Sequence, residues 1–409
     1  MHDARIRARA RGLPRAFLDE LTRAGEDDAS AQAAVAGLVV LRVVDRWVAG
    51  GCPGGFDVVG AMAAVSAVDA GQPVKALLAQ VLEAVAGGGP GAAATTTDRL
   101  LQYGRALELD AKWSLALAVY DSVVSHAGVG SSDAATAFAL TRQGYCFRVV
   151  GAFDESRGAY RRGQEIAQRA GDLNTALLAE LGRALTEAAQ GTGDDSESAY
   201  RDIALRAARA GLRNVECRAL HERAVLAGNR GQPLESARLA YAALERCDVP
   251  ADRDSILNDL GESLRRLGLK DAARDAFLVL SCTASPQYTR WMAIIHLMRI
   301  AGEDGAAAAY RAYRRDLERQ PLPPQLKIEM ETQSGYALRA LGMAPAAGRA
   351  FRRAISQATE YGFTSGLSEL RRALAGGWDF VPSPPERTPR DLVKIVKALR
   401  EMREATVVA

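Results

Sequence analysis

Apolar residues along this chain recur at helical spacing. Near the C-terminus Leu392, Ile395, Val396, Leu399 and Met402 fall on one stripe of a helix. Alternation of Val, Ile, Thr and aromatics, the mark of a half-buried strand, is nearly absent. The pattern predicts an all-α chain. Alanine is abundant, and it is both the strongest helix former and small enough for neighbouring helices to approach closely. The longest apolar run, Val35 to Val44, is broken by Gly37 and Arg42 and is too short to span a bilayer. No membrane contact is therefore expected.

The pattern also repeats. Leu260, Gly261, Leu264, Gly268, Ala273 and Phe277 form one unit, and Ser334, Gly335, Leu338, Gly342, Ala347 and Phe351 form another. A third copy runs Gly144, Phe147, Gly151, Ser156, Tyr160. In all three, seven residues separate the first Gly from the second, and four separate the small residue from the aromatic. Taking the small residue as a marker, weaker copies extend the series to Ala76, Ala116, Ser156, Ala199, Ser236, Ala273, Ala309 and Ala347, at intervals of 36 to 43.

These units resemble the tetratricopeptide repeat family, whose pattern places a small residue and an aromatic on a first helix, Gly at the turn, and Ala then an aromatic on a second. The resemblance implies a right-handed α-solenoid of helix-turn-helix repeats. It also implies that the small residue on the first helix lets the second cross closely, with the aromatic filling the gap towards the next repeat. The intervals exceed the family's period of about 34, so longer loops or longer helices are expected. The unit at Leu181-Gly182 carries an insertion, Gly191 to Asp195, and the unit at Trp291 lacks the first-helix Gly.

Two breaks divide the chain. Gly87 to Thr97 reads as a flexible loop between an N-terminal helical block, 1–86, and a main array of about seven repeats, 98–380. Pro382-Ser383-Pro384-Pro385 ends the array. Thr388-Pro389 then starts a last helix, 388–404, expected to cap the open end.

Composition narrows function by exclusion. Lys+Arg (52) and Asp+Glu (49) nearly cancel at a net charge of +3, so no global field draws the chain to nucleic acid. Arg5, Arg7, Arg9, Arg11 and Arg15 form the one conspicuous basic run, but no aromatics are interleaved to stack on bases. The run reads as a solvated terminus rather than a nucleic-acid contact. None of the five cysteines lies within four residues of another, which excludes a zinc pair and suits packed thiols in a reducing, cytoplasmic setting. The four histidines sit in no HExxH pattern, and neither a GxSxG elbow nor a phosphate loop is present. Asp194, Asp195 and Glu197 read as a solvated loop and helix start. No catalytic residue, cofactor or metal site is assigned.

What remains is surface. In the family, the first helix of each repeat lines an inner concave groove. The resemblance therefore implies that a partner would meet Arg142, Tyr145, Arg183, His221, Asn229, Asn258, Asp259, Arg265, Gln333, Tyr336 and Arg339. Arg and Asn suit carboxylates and peptide backbone respectively. Trp291 and Met298 read as core. The leading expectation is a non-catalytic scaffold or adaptor for a protein or peptide partner. The alternative is a ligand- or peptide-sensing regulatory subunit acting through a separate effector chain, because the N-terminal block shows no helix-turn-helix.

Overall fold

The computed structural model describes residues 16–17, 29–50, 55–69, 73–89, 91–110, 112–127, 131–190, 196–284, 287–361, 366–376 and 388–408. Among them are nineteen helices and no strand. The fold class is that expected, a right-handed α-solenoid of helix-turn-helix repeats. The chain forms two compact units, Met1–Ala199 and Tyr200–Ala409.

In the first unit, α1 (Ala29–Val48), α2 (Gly55–Ala67) and α3 (Pro73–Gly87) pack on one another. Two paired elements follow: α4 (Ala92–Leu109) with α5 (Trp113–Ser125), and α6 (Asp133–Val149) with α7 (Phe153–Arg169). α8 (Leu173–Ala189) packs on α6 and α7, and α9 (Ser196–Arg209) runs across the boundary between units. In the second unit the pairs are α10 (Arg213–Asn229) with α11 (Pro233–Leu244), α12 (Pro250–Arg266) with α13 (Lys270–Thr283), α14 (Gln287–Glu303) with α15 (Ala307–Glu318), and α16 (Pro324–Ala340) with α17 (Ala344–Glu360). The short α18 (Leu367–Leu374) packs on α17, and α19 (Arg390–Val408) ends the described chain.

The long repeat period resides in the helices. α6, α7, α8, α10, α12, α14, α16 and α17 each run 17 residues, while only Val150, Gly151 and Ala152 separate α6 from α7. The turns are this tight because Gly151, Gly268 and Gly342 take φ of 80°, 77° and 74°, a left-handed conformation that a Cβ resists. Where no helix partner satisfies the first-turn amides, a side chain does: the Ala135 amide donates to Ser132 Oγ at 3.2 Å, and the Thr175 amide to Asp172 Oδ1 at 3.0 Å.

The helix-crossing device differs from expectation in one respect. The second-helix aromatic does not simply fill a gap towards the next repeat; it lies on its own repeat's first-helix Gly. A Cβ on Gly261 would stand 2.8 Å from the Phe277 ring, one on Gly335 2.6 Å from Phe351, and one on Gly144 2.7 Å from Tyr160. Tyr160 alone of these also reaches the next repeat, covering Gly182. The same contact joins Gly104 and Tyr120.

The markers Ala116, Ser156, Ser236, Ala273 and Ala347 are buried, but Ala199 and Ala309 are half-buried and Ala76 is exposed. In the weak unit at Trp291 the buried aromatic of the second helix is Tyr310, three residues before the expected position at Tyr313, and its hydroxyl meets Ser334 Oγ at 2.5 Å. The Gly of that unit is Gly302, on which a Cβ would meet Ala337 Cβ at 2.5 Å. It brings α14 against α16, first helix to first helix, rather than against its own partner.

Two segments correct the sequence reading. Residues 92–97 are the opening turns of α4, not loop: Gly91 takes the left-handed turn (φ 92°), the alanines favour helix, and Thr96 and Thr97 are buried. The core joins residues on both sides, from Leu78 and Leu82 of α3 to Leu100 and Tyr103 of α4. α19 does not lie on the last pair; it packs on α13 and α11. An amphipathic helix buries its stripe wherever an apolar face is open to it. Three groups singled out in the sequence lie outside the described residues: the N-terminal arginines, Cys52, and the insertion with Asp194 and Asp195.

Candidate partner-binding face

Within each unit, polar links join some neighbouring first helices: α4 to α6 in the first, and α10 through α18 in the second. In the first unit Arg142 of α6 forms a bidentate pair with Glu108 of α4, with Nε to Oε1 at 2.9 Å, and both side chains are buried. Glu108 also accepts from Tyr120 Oη at 2.6 Å and pairs with Arg105. The Cys146 thiol beside this carboxylate is pushed up to about 12, by burial first and by the Glu108 charge second. It is held as an inert thiol.

In the second unit Arg218 of α10 pairs with Asp252 of α12 at 2.9 Å, and His221 Nε2 lies 2.8 Å from Asp259. Arg265 of α12 makes two bonds to Glu262 (2.7 and 2.8 Å) and reaches Glu303 of α14 at 2.9 Å. Arg299 of α14 shares Glu303 and donates to Gln333 Oε1 of α16 at 2.6 Å. Arg339 of α16 donates to the Ala373 carbonyl of α18 at 2.5 Å. The partners stand 34 or 38 residues apart, one repeat, so each link joins like positions on neighbouring helices.

This geometry sorts the residues assigned from the sequence. Arg142, Arg265 and Gln333 are buried and engaged by neighbouring helices. Asn229 is exposed at the C-terminal end of α10. Tyr145 is half-buried, under the Arg142 guanidinium (4.5 Å) and edge-on to Trp113 (5.8 Å). Arg183 pairs loosely with Glu187 at 3.3 Å and remains 42% exposed. His221, Asn258 and Asp259 stand together and half-buried on α10 and α12. Tyr336 lies between the Arg299 guanidinium (4.5 Å) and the Phe351 ring (5.1 Å), and Arg339 also stands over Phe351. Met298 and Ile295 are core.

Sequence reasoning missed one feature in each unit. The first is a groove of about 450 Å³ in the first unit, lined by Asp98, Leu101, Gln102, Arg105, Leu109 and Phe138 of α4 and α6. Leu109, 70% exposed, is the signal that was available. The second is a set of buried atoms in the second unit that lack a hydrogen-bond partner: Asn258 Oδ1, His296 Nδ1 and Glu303 Oε2. His296 stacks on Phe277 at 4.6 Å, and its Nδ1 lies 3.9 Å from Glu262. Among the described residues no group of three or more His, Cys, Asp or Glu is placed to hold a metal ion, and no helix is long and apolar enough to cross a membrane.

The two histidines of this face titrate in opposite directions. Burial alone would lower His221, but the hydrogen bond and charge of Asp259 outweigh it and hold the pKa above the ordinary value. Burial dominates at His296 and holds it below, against the pull of Glu262 and Glu329. The stabilising contribution of His221 is thus complete below about pH 6.5 and is lost as pH rises through its higher folded value. That of His296 is present above about pH 6.5 and is lost as pH falls towards its lower folded value. Imidazole resonances followed by NMR are expected to separate in this order, with Asp259→Asn bringing His221 down. Two coincident titrations at the ordinary value would refute the arrangement.

No family model matches the chain, and no curated protein matches it. Among solved structures it is similar to the apo form of the quorum sensor NprR from B. thuringiensis, at 10% identity over 83% of this chain and 91% of that one, with a TM-score of 0.49. Within this chain itself, adjacent helices pair, and an aromatic lies on the glycine at Gly104, Gly144, Gly261 and Gly335. The chain resembles the tetratricopeptide-like helical-repeat fold. In a helical-repeat protein each repeat contacts mainly its neighbours, so the ladder and the glycine crossings together define the first-helix surface.

Proposed function

We propose that this helical-repeat protein binds an extended peptide or protein segment along its first-helix face, without catalysing a reaction. The observation that carries the reading is a set of unpartnered buried polar atoms in the second unit, Asn258 Oδ1 on α12 and His296 Nδ1 and Glu303 Oε2 on the next first helix, α14. Buried polar atoms are nearly always hydrogen-bonded; a peptide's N–H groups complement the two oxygens, and its N–H or C=O groups the imidazole nitrogen. Asp259 and Glu262 of α12 supply half-exposed acceptors beside this set, and Tyr336 of the next first helix, α16, an aromatic surface.

The ladder supports a second, finer reading, a sensing subunit that passes occupancy to a separate effector chain. Arg265, Glu303, Arg299 and Gln333 form one connected set across α12, α14 and α16. A ligand that engages Glu303 competes with both arginines and thereby alters two helix–helix links at once.

Panning a displayed library of random linear peptides on the full chain tests the site. Enriched peptides are expected to bind Asn258→Ala and His296→Phe about two- to tenfold more weakly, the equivalent of one hydrogen bond of about 0.5–1.5 kcal/mol. Both variants are expected to stay folded with only a small change in melting temperature, because Asn258→Ala removes one long bond to Asp259 and His296→Phe keeps the ring stacked on Phe277. Peptides that bind both variants as well as the parent would place the site elsewhere.

A further inference from the structure

The two carboxylates of α16 are treated differently by the chain. Glu331 is buried and held by Arg314 and Arg353. Glu329 is half-buried and meets no cation among the described residues. Its bond is to an amide: Gln333 Nε2 donates to Glu329 Oε1 at 2.6 Å. That amide is fixed in this sense because Gln333 Oε1 accepts from Arg299. The other oxygen, Oε2, takes no bond among the described residues.

A buried imidazole stands on the next first helix. α14 and α16 cross closely at Gly302 and Ala337. His296 of α14 is only 6% exposed, and its Nδ1, 3.9 Å from Glu262, has no hydrogen-bond partner. Burial holds the ring below its ordinary pKa, against the charges of Glu262 from α12 and Glu329 from α16, so it is neutral at about pH 7. In the tautomer protonated at Nε2, Nδ1 is an acceptor. Tyr288, about two turns away on α14, is raised by burial and further by Glu329, which sets the same carboxylate beside it. Arg265 and Arg299 also face the imidazole, but both are committed to Glu303.

We propose that Glu329, Glu262 and His296 form a recognition site for a primary ammonium group, presented by a lysine side chain or by the free amino terminus of the bound peptide. The proposal rests on the reading of the first-helix face as a peptide site and specifies the charge that face selects. An ammonium has three donors and no acceptor, and Glu329 Oε2 and His296 Nδ1 are acceptors left unused by the chain, with the Glu262 carboxylate beside them. A guanidinium is matched by two carboxylate oxygens side by side, and Glu329 has one oxygen already given to Gln333. A neutral apolar side chain in this place would leave the half-buried carboxylate and the imidazole nitrogen unpaired.

The test uses small amides on the full chain, with the His296 imidazole followed by NMR at about pH 7.5, where the ring is neutral. Nα-acetyl-lysine N-methylamide carries the ammonium on its side chain, norleucine N-methylamide carries it on the α-carbon, and Nα-acetyl-norleucine N-methylamide has none. At least one ammonium compound is expected to shift the resonance saturably, and the uncharged compound to bind about tenfold more weakly or worse. Which of the two ammonium compounds binds tells a side chain from an amino terminus. Glu329→Gln is expected to weaken the ammonium compound about tenfold or more and to leave the uncharged one unchanged. Equal shifts with all three compounds, or no saturable shift with either ammonium compound, overturns the proposal. That comparison is made on the parent chain and does not depend on how the variant folds. The wider peptide reading fails separately. Panned peptides that lose affinity with Asn258→Ala yet bind equally well after acetylation of every amine sustain that reading and overturn this one. Saturable ammonium binding with no peptide enriched sustains this site and removes that reading.

Discussion

Replacing Arg142 with alanine is expected to lower stability by about 3–5 kcal/mol, the range for breaking a buried pair and leaving one charge behind. The partner left behind is Glu108, 4% exposed, packed among Tyr120, Cys146 and the remaining Arg105. Arg105 cannot replace the lost fork, because it approaches from the same helix, three residues away, through a single nitrogen. Urea unfolding followed by circular dichroism measures the change as a shift in midpoint. The double variant Arg142→Leu, Glu108→Leu is expected to recover much of the loss, since removing both charges leaves nothing unpaired. A shift in Arg142→Ala worth under about 1 kcal/mol would be the value of a surface pair, and the buried rung would have to be abandoned.

Phe277→Ala is expected to be as damaging, by about 3–5 kcal/mol for a buried Phe cut to Ala. Phe277 is fully buried and touches Gly261 so closely that no side chain fits between them. Removing the ring leaves a void that glycine cannot fill and α12 cannot close without losing its links to α14. The substitution also carries a spectroscopic signature. His296 stacks on Phe277 and owes its depressed pKa to burial. With the ring gone, water reaches the imidazole, and its titration should move up towards the ordinary histidine value. A destabilised variant whose His296 titrates unchanged would show that the ring supports the crossing but does not shield the histidine.

Both predictions turn on features that were unequally legible in the sequence. The crossing at Gly261 and Phe277 is written locally: both residues lie in one unit at fixed spacing, and each has a steric reason to be what it is. The rung at Arg142 is not. Its partner is 34 residues away on another helix, and an arginine on a helix reads as solvated until the crossing is known. The same holds for Arg265 and Gln333, assigned to an open groove and found engaged by adjacent helices. Residues 92–97 were misread because glycines and threonines outweigh alanine in a local count, whereas the burial of Thr96 and Thr97 is a tertiary effect. For α19 the stripe at Leu392, Ile395 and Leu399 foretold that one face would be covered. Periodicity holds no record of what covers it.

The rungs of the second unit differ in make-up from one to the next: arginine and histidine to aspartates between α10 and α12, arginine to glutamate between α12 and α14, arginine to an amide between α14 and α16, and arginine to a carbonyl between α16 and α18. Each repeat is thus keyed to the one that follows it. Shuffling the order of these repeats, or deleting one of them, would set Arg265 or Glu303 against a neighbour without its counterpart and bury a lone charge. Their order in the gene is consequently part of the information that folds the protein. A lineage that lengthens or shortens this stretch by unequal recombination has to alter two helices together, so growth of the array is easier at its ends than in its interior.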